Sequence, residues 1–112
     1  FYASSFSRPN HGSLHAEPHG PAVIYKVASV EEAIDLANGS PYGLGGSVFS
    51  ADPAKAQDVA DQLDTGMVFI NSVAQTQADM PFGGVKRSGV GRELGRFGMD
   101  EFVNKKLIRT PR

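Results

Sequence analysis

Between Pro81 and Gly98 the chain reads PFGGVKRSGVGRELGRFG, eighteen residues that hold six glycines and four cationic side chains. Glycine loses more backbone freedom on folding than any other residue, so a run this dense is ordered only where something holds it. Either the backbone turns through conformations closed to other residues, or it lies so near another surface that a side chain would clash. Which of the two applies decides what the run does.

With 112 residues, 40% hydrophobic and 21% charged, the chain suits one globular domain. It has no apolar stretch near the length a bilayer span needs and no basic-then-apolar leader, so a cytoplasmic protein without a membrane partner is expected. The absence of cysteine excludes a disulfide framework, a thiolate metal site and a thiol nucleophile within these residues. Charge is uneven. Residues 1–85 carry only Arg8, Lys26 and Lys55 as cations against nine acids, whereas residues 86–112 carry eight cations against Glu93, Asp100 and Glu101. Such a block is expected to be a solvated, salt-bridged face rather than a nucleic-acid site; its functional alternative is a grip on phosphates.

Proline and glycine interrupt every period in the first 22 residues, so residues 1–21 read as a loosely ordered arm. The run 22–28, AVIYKVA, predicts a strand with Val23, Tyr25 and Val27 on one face. Ser29 followed three residues later by Glu32 forms a capping box, and Val30, Ala33, Ile34 and Ala37 recur at helical spacing until Asn38-Gly39 and Pro41. The same grammar returns with a strand over 45–51. Asp52 then acts as N-cap with Pro53 at the first helical position, and Ala56, Val59, Ala60 and Leu63 form a stripe closed by Gly66. Residues 67–71, MVFIN, predict a third strand buried on both faces. The fold class is therefore α/β, a partial parallel sheet in the order β-α-β-α-β. So thin a core suggests a piece of a larger domain. About twenty residues after Asn71 lack a period. A short helix interrupted at Gly98 is expected within 93–103, and an edge strand over 104–110.

No reactive constellation emerges. Gly89, Gly91 and Gly95 miss the dinucleotide spacing and follow a loop rather than a strand, and Lys86 lacks the earlier glycine of a phosphate-cradling loop. His11, His15 and His19 are four apart, but the prolines and glycines between them forbid the helix that would align them, so no metal site is expected. No serine sits in a nucleophile elbow. No catalytic residue is assigned, and what remains is a scaffold with a basic, glycine-rich loop.

SPYGLGGSVFS at 40–50, GMVFIN at 66–71 and PFGGVKRSGVGRELG at 81–95, in that order and at these separations, resemble the carboxy-terminal part of the NAD(P)-dependent aldehyde dehydrogenases. VKRSG and RELGRFG are most similar to the succinate-semialdehyde branch. The resemblance implies that residues 22–103 are part of the catalytic domain and residues 104–112 an oligomerisation strand and tail. It also implies that the nucleophilic cysteine and the general-base glutamate lie upstream of residue 1. The chain alone is then expected to be inactive, because aldehyde oxidation begins with thiol attack on the carbonyl, followed by hydride transfer to NAD or NADP and hydrolysis of the thioester.

By position, Glu17 in Glu17-Pro18-His19-Gly20-Pro21 corresponds to the glutamate that binds the nicotinamide ribose hydroxyls, a sensible task for a carboxylate acceptor. His19 stands at the neighbouring aromatic position, where the family has phenylalanine. Phe82 corresponds to an aromatic lining the substrate entrance, and Thr76 to Met80 to a variable stretch that shapes aldehyde specificity. Asn71, Lys86, Ser88 and Arg92 read as structural, tying down loop backbone. The resemblance implies a small aldehyde substrate and a homo-oligomer. The alternative from composition alone is a small, non-catalytic anion-binding or interaction module.

Overall fold

The two main helices begin where their capping side chains dictate. In the computed structural model, which describes residues 16–19 and 22–111, α1 (Val30–Asn38) follows Ser29, whose hydroxyl accepts the Glu32 N–H at 3.2 Å. The return bond of the capping box reaches one residue further back than expected, with Glu32 Oε2 accepting the Ala28 N–H at 2.8 Å. Helix α2 (Pro53–Ala60) follows Asp52, whose Oδ1 accepts from Ala54 at 3.0 Å and from Lys55 at 3.3 Å.

Among the described residues the expected three-strand sheet does not form. Strands β4 (Gly45–Val48) and β5 (Met67–Ile70) pair in parallel through α2, with Gly45 opposite Met67 and Val48 opposite Ile70. Strand β2 (Ala22–Tyr25) instead pairs antiparallel with β1 (Ala16–His19), Glu17 opposite Ile24 and His19 opposite Ala22. Its nearest partner is two residues away, and closing so short a loop costs far less entropy than a crossover. Residues 16–19 of the predicted arm are therefore a strand; the rest of that arm, with His11 and His15, lies outside the described residues. A third pair, β3 (Tyr42–Gly43) with β6 (Val85–Lys86), is antiparallel. The architecture among the described residues is α/β with three two-stranded ladders.

Ile34, Val48, Ala56 and Val59 form the buried core, with Val30, Ala60, Leu63, Val68 and Ile70 packed on it. These are the predicted stripes of α1 and α2 meeting one face of the β4–β5 pair. Strand β5 is not buried on both faces as its apolar density suggests, since all four of its residues are half-buried. Val68 and Ile70 face the core, while Met67 and Phe69 point away from it.

Gly66 does not stop α2, which ends at Ala60. It marks a close approach: a Cβ there would run into the Gly83 carbonyl oxygen and come within 2.6 Å of Gly84 Cα. The run from Pro81 to Gly98 thus lies against the start of β5. Helix α3 (Gly95–Asp100) passes through Gly98 without a break. Gly98 is buried there, and a Cβ on it would sit 2.8 Å from the Glu93 carbonyl carbon. Residues 104–110 form no strand with the described residues, and Leu107 and Ile108 stand 91% and 81% exposed. No helix among the described residues is long and apolar enough to cross a membrane.

Candidate functional site

Met67 and Phe69, projecting from the outer face of β5, form one wall of an open groove of about 240 Å³. The opposite wall is Met80, Pro81 and Phe82, and Gln75, Thr76 and Gln77 contribute its polar groups. Phe82 is half-buried in this wall. None of the lining side chains ionises near neutral pH. The groove can hold an apolar or hydrogen-bonding ligand, and it carries no nucleophile or general base of its own.

The Phe82 wall is held from several sides. Phe82 and Glu93 exchange two backbone hydrogen bonds, each 2.7 Å, and the Gly95 N–H donates to the Ala78 carbonyl at 3.0 Å. Gly95 has φ +56°, a conformation that favours glycine, and a Cβ there would approach the Asp79 carbonyl oxygen to 2.8 Å. Arg92 Nη1 donates to the carbonyls of Gly84 at 2.8 Å and Gly91 at 2.6 Å. Ser88 Oγ accepts the Gly43 N–H at 3.1 Å.

Lys86 Nζ reaches the carbonyls of Asn38 and Ser40 and the Asp64 carboxylate. Asn71, at φ +52°, accepts the Ser50 N–H at 2.8 Å and donates Nδ2 to the Ser50 carbonyl at 2.9 Å. All four residues read as structural thus bind backbone. Two of the cations that composition made available to an anion, Lys86 and Arg92, are engaged inside the chain.

Both main helix N-termini are already occupied. Asp52 caps α2, and Ser29 with Glu32 closes α1, where Glu31 also lies in the first turn. The Glu31 carboxyl is held below its ordinary value by its own backbone N–H and by the Ser29 hydroxyl. Acidic, self-satisfied termini repel a phosphate, so neither of these two helix starts fits the pyrophosphate of a dinucleotide. Glu17 and His19 are placed only through the backbone of β1, opposite Ile24 and Ala22.

Of the residues that the family resemblance singles out, Thr76, Gln77, Met80 and Phe82 line this groove; Met67, Phe69 and Gln75, which also line it, are not among them. The period-two alternation of β5 carried that signal: Val68 and Ile70 on the core face leave Met67 and Phe69 on the other.

The aldehyde dehydrogenase family model matches residues 7–108. This chain belongs to the aldehyde dehydrogenase family. Among its relatives in the family, the succinate-semialdehyde dehydrogenase [NADP(+)] of Deinococcus radiodurans is 58% identical over 103 residues, covering 91% of this chain and 22% of that protein. The crystal structure of a succinic semialdehyde dehydrogenase from Streptococcus pyogenes, in complex with NADP+, matches with TM-score 0.76 and 52% identity over 79% of this chain and 19% of the other. A betaine aldehyde dehydrogenase from Staphylococcus aureus in complex with NAD+ matches with TM-score 0.66 and 51% identity, covering 68% and 15% of the two chains. The chain spans about a fifth of the length of these family members.

Proposed function

We propose that this chain forms the substrate-side wall of an aldehyde dehydrogenase that oxidises succinate semialdehyde to the dicarboxylate with NADP or NAD. The observation that carries the reading is the groove: two thioethers and two phenylalanines line a slot, with amide and hydroxyl groups beside them. An aldehyde tail fits such a slot, and Gln75, Thr76 and Gln77 offer hydrogen bonds to a distal carboxylate. The names of the similar proteins support the same substrate and cofactor class.

On this reading the chain binds and orients, and the thiol and general base come from other parts of the whole protein. Glu17 accepts hydrogen bonds from the nicotinamide ribose hydroxyls, with His19 beside it, while the pyrophosphate is held elsewhere. Residues 104–110 add a strand to a partner subunit's sheet, making a homo-oligomer. A cytoplasmic location belongs to this reading. The anion-binding alternative retains only the exposed cations of the basic block, since Lys86 and Arg92 are taken by backbone carbonyls.

The test compares the whole protein with the 112-residue chain in NADP-dependent and NAD-dependent oxidation of succinate semialdehyde. Activity of the whole protein and none of the short chain is expected. Turnover by the short chain alone contradicts the division of labour, and salt-sensitive retention of that chain on heparin favours the anion-binding module.

A further inference from the structure

Lys86 occupies a conformation that few side chains adopt, with φ +55°. A residue other than glycine persists there only when its surroundings over-determine it. Its side chain, 22% exposed, supplies the reason. Nζ donates to the carbonyls of Asn38 at 2.9 Å and Ser40 at 3.3 Å, and pairs with Asp64 Oδ2 at 2.9 Å. Asn38 is the last residue of α1, which has no basic residue in its final turn. Lys86 thus brings the missing positive charge to the negative end of that helix from a strand far along the chain. Asp64, in the turn leading from α2 to β5, is fixed in its turn by Asn38, whose Oδ1 accepts the Asp64 N–H at 2.8 Å and whose Nδ2 donates to the Gln62 carbonyl at 2.8 Å.

Both sides of the groove lie a short way from this junction. Gly66, in the groove lining, follows Asp64 by two residues; Phe82 precedes Lys86 by four, through Gly83 and Gly84, whose backbone rests on Gly66. The stretch between has little freedom to slide, because Arg92 grips the Gly84 carbonyl and the Gly66 N–H is bonded to the Gly43 carbonyl at 3.0 Å.

We infer that Lys86 is a positioning residue for the groove, a pin that sets the separation of the Phe82 wall from the β5 wall by joining the end of α1 and the turn between α2 and β5 to β6. This rests on the groove being the aldehyde site. The pin acts on binding geometry, since Lys86 is not among the residues that line the groove.

The test uses Lys86→Met, which keeps the stem and removes the ammonium, and Lys86→Arg, which keeps the charge on a planar fork that fits three converging oxygens poorly. In the whole protein, Lys86→Met is expected to raise KM for succinate semialdehyde about tenfold with kcat within about twofold, and Lys86→Arg to fall between it and wild type. Amide hydrogen exchange at Gly66 and Phe82 is expected to quicken in both. A lowered melting temperature with KM unchanged overturns the pin, leaving Lys86 merely structural, and so does unchanged exchange at the two amides. Faster exchange in a protein whose wild type oxidises no aldehyde leaves the pin standing and removes the aldehyde reading instead.

Discussion

Gly66 and Gly83 meet backbone to backbone, so closely that a Cβ on Gly66 would strike the Gly83 carbonyl oxygen. This contact seats the glycine-rich run against β5 and brings the two walls of the groove together. Gly66→Ala must therefore shift backbone rather than a flexible side-chain end. It is expected to destabilise the protein by about 3 kcal/mol, the upper part of the overpacking range. Gly46→Ala, whose Cβ would meet Leu63 Cδ1 at an ordinary 3.8 Å, is expected to be neutral within about 0.5 kcal/mol. Urea unfolding of the two variants checks the contrast.

Asn71 closes β5 by exchanging two hydrogen bonds with the Ser50 backbone at positive φ. Asn71→Gly keeps the backbone conformation and loses the bonds, whereas Asn71→Ala loses the bonds and strains the backbone. Expected losses are about 1–2 kcal/mol for Gly and about 1 kcal/mol more for Ala. Equal losses in denaturant unfolding would show that the left-handed conformation adds nothing.

Acid should weaken the start of α1. Glu31 has a carboxyl held below its ordinary value of 4.5, first by its own backbone N–H and then by the Ser29 hydroxyl. A depressed folded value means that this contribution is complete above about pH 4.5 and is lost as pH falls through the lowered folded value. Glu31→Gln is expected to flatten the pH dependence of the urea midpoint in that acidic window and leave it unchanged near neutrality. An identical pH profile in wild type and variant would remove Glu31 from the account.

The elements legible in the sequence are those fixed by local chemistry. Ser29 and Asp52 cap the helices they were expected to cap, and Ile34, Ala56 and Val59 of the helix stripes are buried in the core with Val48. Strand partners were read less well: nothing within 22–28 itself says that its partner is 16–19 rather than 45–48. The apolar density of MVFI concealed that only Val68 and Ile70 face the core. The resemblance pointed to Phe82 and residues 76–80, of which Thr76, Gln77, Met80 and Phe82 line the groove, whereas Met67 and Phe69 required knowing which face of β5 the helices cover. Gly66 looked like a helix stop because a glycine after an apolar stripe usually is one, and only the fold shows what it touches.

In the proposed function Phe82 is the wall against which the aldehyde binds. Its most direct test is the steady-state KM of the whole protein for succinate semialdehyde, measured with Phe82→Ala beside wild type at saturating NADP. The predicted result is an aldehyde KM raised about tenfold, with the KM for NADP unchanged. An unchanged aldehyde KM in a folded, active Phe82→Ala protein would contradict it.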